Sequence, residues 1–134
     1  MDSLEEKFKA LQVLVVADMD SSRNLVNSCL NELGVKRTIL APNGSVAWTQ
    51  LQNTSIDIII CDWDMPQLSG LELLRLVRAS RQYCGIPFLM LTGSTEKEKV
   101  IDAIEAGASD YLTKPFSPKD LEYRVIKLLS KVKA

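Results

Sequence analysis

Histidine is absent from the 134-residue chain, which removes Ser-His-Asp and Cys-His catalysis and any histidine-ligated metal centre. Cysteine is scarce: Cys29, Cys61 and Cys84 are odd in number, far apart and without a CxxC pair. That argues against a disulfide framework or zinc site and fits a reducing cytoplasm. Charge of one sign is lacking as well. Sixteen Lys and Arg against seventeen Asp and Glu leave a net charge of -1, so no basic field recruits nucleic acid or a membrane surface. No apolar run approaches the ~20 residues of a membrane helix. Residues 1–10 carry Asp2, Glu5, Glu6, Lys7 and Lys9, unlike the positive start and apolar middle of a signal peptide. No repeat, low-complexity segment or linker divides the chain. The expectation is one cytoplasmic domain over residues 11–134 behind a short N-terminal extension over 1–10, long enough to bury a core without disulfides or structural metal.

What the chain does have is alternation. Leu11 to Val16, Ile58 to Cys61 and Phe88 to Leu91 are short, nearly continuous apolar runs, as expected of central strands covered on both faces. Arg37 to Ala41 and Asp110 to Thr113 mix polar residues into similar runs, as edge strands can. Amphipathic stretches at helical spacing lie between them: Val26, Leu30, Leu33; Leu73, Leu74, Val77; Val100, Ile101, Ile104; and Leu121, Val125, Leu128, Val132, with a weaker one over Val46 to Leu51. Ser69 with Glu72 and Thr95 with Glu98 have capping-box spacing, and Ser117, Pro118 and Asp120 add a first-turn proline. Asp20 or Ser21 offers a cap for the first of these helices, and Gly34 and Gly107 stand where helices stop. Right-handed crossovers turn five strand–helix units into an α/β, flavodoxin-like, doubly wound three-layer sandwich with parallel strand order 2-1-3-4-5.

In such a sheet the strands' carboxyl ends share one edge, and ligands bind in the crevice there. Asp18, Asp62, Thr92 and Lys114 each follow a separate strand-like run, so four polar groups converge on that edge. Two carboxylates, a hydroxyl and an ammonium suit a phosphoryl group handled with Mg²⁺: oxygen ligands hold the hard cation, while Lys and hydroxyl meet phosphoryl oxygens. Singly, each has a duller explanation as a helix cap or strand end. Lys114 precedes Pro115, which holds its backbone extended and aims its side chain.

Four segments carry a family resemblance: Val15-Val16-Ala17-Asp18; Cys61-Asp62-Trp63-Asp64-Met65-Pro66 followed by Ser69-Gly70-Leu71-Glu72-Leu73-Leu74; Met90-Leu91-Thr92-Gly93; and Gly107-Ala108-Ser109-Asp110-Tyr111-Leu112-Thr113-Lys114-Pro115-Phe116. From about Leu11 to Leu129 the chain resembles the receiver domain of two-component response regulators, and is most similar to stand-alone chemotaxis-type receivers. The resemblance implies that Asp62 accepts a phosphoryl group from a histidine kinase's phosphohistidine, and that the acyl phosphate later hydrolyses. It implies Mg²⁺ held by Asp18, Asp62 and the backbone carbonyl of Asp64, and Lys114 as charge partner. Thr92 and Tyr111 become a switch pair, with output through the fourth helix, fifth strand and fifth helix counted from Leu11, around 95–106 and 111–129. Asp64 and Ser94 fall where family members tune access of the hydrolytic water. Lys114-Pro115 resembles the family's cis peptide. Trp63 reads as a loop aromatic flanking the site, and Cys61 as core. Chemistry of this kind is self-phosphorylation and self-dephosphorylation rather than enzymatic turnover on a separate substrate.

The family normally has adjacent acids after the first strand, and here Ala17 precedes Asp18. Weaker Mg²⁺ affinity is expected, with Asp64 or Asp20 as partial compensation. Ala17 also opens a rival reading, a pseudo-receiver binding its partner without phosphorylation. A haloacid-dehalogenase-type phosphohydrolase shares the Asp-x-Asp, Thr and Lys order, but Asp62 comes after two strand–helix units, no acidic pair follows Lys114 and no capping domain is present. With no DNA-binding or catalytic domain attached, output requires another protein: a motor switch, a kinase, a phosphotransfer relay or a larger assembly.

Overall fold

Side chains one residue apart on a strand point to opposite faces of a sheet, and the buried core divides on that rule. Val13, Val15, Ile58, Ile60, Leu89 and Leu91 belong to one apolar cluster, whereas Leu14, Val16, Ile59, Cys61, Phe88 and Met90 belong to another. The structure, a computed structural model, describes residues 3–93 and 97–132. Its strands are β1 (Gln12–Val16), β2 (Arg37–Ala41), β3 (Ile58–Asp62), β4 (Phe88–Thr92) and β5 (Asp110–Thr113). They form one parallel sheet in the order β2-β1-β3-β4-β5, as the apolar patterning predicts. The helices are α1 (Leu4–Ala10), α2 (Asp20–Leu33), α3 (Gly44–Asn53), α4 (Gly70–Ala79), α5 (Lys97–Glu105) and α6 (Pro118–Leu129).

The first cluster is closed by Val26, Cys29 and Leu30 of α2 and by Leu121, Val125 and Leu128 of α6. The second is closed by Ala47 and Leu51 of α3 and by Leu73, Leu74 and Val77 of α4. Helices therefore cover both faces, and no helix among the described residues is long and apolar enough to cross a membrane.

Two differences from the sequence reading concern helices. Leu4–Ala10 is helical, although its composition suggested no element; Ser3 accepts from the Glu6 amide, and Phe8 is buried in the first cluster. Neither Asp20 nor Ser21 caps α2: the N-cap is Met19, without a side-chain bond. Asp20 is instead the first helical residue, and its carboxylate pairs with Arg23 one turn on. The weak 46–51 stretch is α3, started by Asn43, which accepts from the Val46 amide at 2.8 Å. Both Ser69–Glu72 and Ser117–Asp120 form reciprocal capping boxes. The Thr95 cap and the Ser94 position lie outside the described residues. Gly34 ends α2 at φ 108, a left-handed turn suited to glycine.

Candidate functional site

Register delivers the site. Asp62 pairs with Leu91 across β3 and β4, and Thr92 pairs with Thr113 across β4 and β5, so both polar residues are the last of their strands rather than the first of the loops. Sheet pairing continues one step further, with the Trp63 amide bonded to Leu91 O and the Lys114 amide to Thr92 O, each at 2.8 Å. Asp62 and Thr92 are the only polar or charged side chains among the described residues that are buried, at 4% and 3% exposure. Lys114 follows β5, and the Lys114–Pro115 peptide is cis. Its Nζ lies 2.6 Å from Asp62 Oδ1.

That contact has the length of a short hydrogen bond without its direction, so Oδ1 is a buried oxygen with a charge partner but no well-aligned donor. Burial pushes the Asp62 carboxyl above the usual carboxylate range; Lys114 pulls it down, and the charges of Asp18 and Asp64 push it up again. The site is thus a crowd of negative charge held by one inward-facing ammonium. Asp18, two residues beyond β1, and Asp64, two beyond Asp62, are both exposed. They line an open cleft of about 400 Å³ with Trp63, Met65, Pro66 and Ser69.

A close backbone approach fixes the floor. Gly70 opens α4 with its amide on Trp63 O at 3.0 Å, and a Cβ there would collide with the Asp62 carbonyl oxygen. Gly93, beside Thr92, has open space where a Cβ would project. Tyr111 is half-buried on β5 against the second cluster. Cys61 is fully buried in that cluster, with its thiol pushed well up by burial, as a core residue would be.

The donor set can be tested against a metal. No group of three or more Asp, Glu, His or Cys among the described residues is gathered to enclose one, which removes an all-protein cage. What fits is a hard cation that keeps several waters and takes one or two carboxylates, as Mg²⁺ does. Asp62 Oδ1, a buried acceptor facing the Asp18 and Asp64 charges, is the oxygen such an ion would suit. Asp20, considered above as a compensating acid, pairs with Arg23, whose guanidinium also donates to the Ala17 carbonyl at 2.6 Å.

Asp18 and Asp64 line the cleft, Asp62 feels the charge of both while Lys114 pairs with it, and Thr92 ends the adjoining strand. The sequence reading passed over Lys99, in the first turn of α5. Its Nζ is 3.9 Å from Asp64 Oδ1 and 5.8 Å from the centre of the Trp63 ring. Lysines at 97 and 99 flank Glu98, and helical spacing does not say which one turns towards the site.

Comparison with known proteins converges on one family. The sequence profile of the response regulator receiver domain matches residues 13–126. The chain is 32% identical over 122 residues to a chemotaxis protein CheY from Pseudomonas aeruginosa, covering 91% of this chain and 98% of that one. A signal receiver domain of a histidine kinase from Syntrophus aciditrophicus superposes with a TM-score of 0.85 at 33% identity, over 92% of this chain and 93% of that one. A second receiver domain, of a sensor histidine kinase from Pseudomonas aeruginosa, has a TM-score of 0.81 at 26% identity over 90% and 98% of the two chains; it is described with a magnesium ion coordinated in its active site cleft.

Proposed function

Because the chain belongs to the response regulator receiver domain family, we propose that it acts as a response regulator that takes a phosphoryl group on Asp62 from a histidine kinase and signals to a partner protein. The observation that carries this reading is the buried Asp62 carboxylate held 2.6 Å from Lys114 at the mouth of the sheet. An oxygen of Asp62 attacks phosphorus in line, the P–N bond of the donor phosphohistidine breaks, and its electron pair returns to the imidazole, which takes up a proton. The new bond is an acyl phosphate, later cleaved by water to restore Asp62 and release phosphate.

Carboxylates are weak nucleophiles, so the step depends on neutralising charge on the phosphoryl oxygens. Lys114 supplies one positive charge, and Thr92 a hydroxyl at the strand end beside it. Asp18, Asp62 and the Asp64 backbone carbonyl would hold Mg²⁺, which when bound offsets further charge on the transferring group. With Ala17 in place of a second acid, that hold is weaker. Thr92 and Tyr111 then bias a pre-existing two-state equilibrium of the α5–β5–α6 face, where Ile101, Ile104, Tyr123 and Ile126 are exposed. Three free thiols and the absence of a long apolar helix among the described residues support placing it in the cytoplasm. Neither nucleic acid nor membrane is needed as partner.

Incubation with acetyl phosphate and Mg²⁺, read by intact mass, tests the reading. One phosphoryl adduct is expected on the wild type, none on Asp62→Asn, and none on the wild type when Mg²⁺ is chelated. Buried Ala17, whose carbonyl is taken by Arg23, is what favours the second reading, a binding module that acts unphosphorylated. An adduct on neither protein would select it.

A further inference from the structure

We propose that Lys99 is a positioning residue of the phosphoacceptor site: it neutralises Asp64 at the cleft mouth so that an anionic phosphoryl donor can approach, an inference that rests on Asp62 being the acceptor. Lys99 stands in the first turn of α5, the end of a helix where the macrodipole opposes a cation. Helix stability therefore gives no reason for a lysine to turn this way. Its partners do. Nζ reaches Asp64 Oδ1 at 3.9 Å and lies 5.8 Å from the Trp63 ring centre, and Trp63 and Asp64 are both walls of the cleft beside Asp62.

The charges explain why this matters. Asp18, Asp62 and Asp64 crowd the site, and Lys114 is committed to Asp62. A donor carrying negative charge must pass the exposed Asp64, and among the described residues Lys99 is the cation paired with it. The ion pair is long and Asp64 is 76% exposed, so it adds little to folding and yields readily. Its field still acts on an approaching anion, because rim charges govern encounter more than affinity.

The test measures the second-order rate constant for phosphorylation of the full chain by acetyl phosphate. In about 50 mM salt, Lys99→Met is expected to lower it roughly three- to tenfold, as loss of one steering charge does. Lys99→Arg should stay within about twofold of wild type. In about 1 M salt, where the screening length falls to ~3 Å, the Lys99→Met loss should shrink below about twofold. Asp64→Asn alone should raise the rate in about 50 mM salt, since it removes the charge Lys99 answers, and that gain should likewise shrink in about 1 M salt. Phosphoramidate, a less charged donor, should show the smaller loss. An unchanged rate in Lys99→Met, a loss equal at both salts, or no gain in Asp64→Asn overturns this role while leaving Asp62 as acceptor. No adduct on the wild type at all overturns the acceptor reading and this inference with it.

Discussion

At 4% exposure, with burial and the charges of Asp18 and Asp64 opposing the pull of Lys114, Asp62 prefers its neutral form more in the folded chain than in the unfolded one. A carboxyl whose folded pKa is raised contributes stability that is present below the unfolded value and lost as pH rises through the folded value. At neutral pH, Asp62 therefore works against folding. Asp62→Asn is expected to raise the melting temperature by roughly 2–4 °C at pH 7 in metal-free buffer, with the advantage narrowing as pH falls towards 4. Calorimetry at several pH values checks it, and a variant that melts lower at pH 7 would mean that the Lys114 pair outweighs burial. Asp120 has the opposite sign. Its carboxyl is held below the usual range by the Ser117 backbone and hydroxyl, so its contribution is present at neutral pH and fades as acid protonates it. Asp18, Asp62, Thr92 and Lys114 could be read from sequence as candidates because strand ends fix their places, whereas Asp64 entered through the family resemblance. Lys99 could not, since its role lies in where a flexible side chain points across a loop.

Elements were legible where patterning was redundant: an all-apolar run between two amphipathic stretches has few other places to go. They were illegible where one residue decides. In α1 only Phe8 is buried, too little to set a period, and Asn43 starts α3 with a single side-chain bond. Joints between elements were hidden too, and Arg78 of α4 is one. Its Nε donates to Gly107 O at 2.8 Å, and its Nη1 donates to Cys84 O and Ile86 O at 2.9 and 2.6 Å. Nη2 reaches the Ser109 hydroxyl, which also accepts from the Phe88 amide. One guanidinium thus ties α4 to the loops before β4 and β5. Arg78→Met would leave several carbonyls short of donors and is expected to cost about 2–4 kcal/mol in urea unfolding. Lysine would not rescue it, because its ammonium lacks the planar fork. Because this joint sits at the amino ends of the strands, phosphorylation of whatever folds should keep its rate; a slowed Asp62 would show that the two ends are coupled.

Across the whole molecule, anchoring is uneven in a way that suits a switch. Helices α2 and α6 bury three residues each, and α4 buries Gly70, Leu73, Leu74 and Val77. By contrast, Ala103 is the sole buried side chain among those described in α5, while Ile101 and Ile104 are 48% and 57% exposed. Few buried contacts mean a low cost of local opening. This lightly held helix is also the one that carries Lys99 to the cleft and adjoins the strand end bearing Thr92. A change at Asp62 is therefore expected to spread along α5 and β5, while the opposite end is held by Arg78 and by the Trp48–Tyr83 edge contact at 5.7 Å. Amide hydrogen exchange should accordingly be faster in α5 than in α4 before activation. Beryllofluoride with Mg²⁺, standing in for the phosphoryl group, should alter protection in α5 and β5 several-fold while leaving α3 and the 80–87 segment unchanged. Because a ligand shifts a two-state equilibrium only by its differential affinity, Thr92→Ala should bind the analogue and yet lose most of that change. Equal effects at both ends of the sheet would place the coupling in the rigid core instead of in its loosest helix.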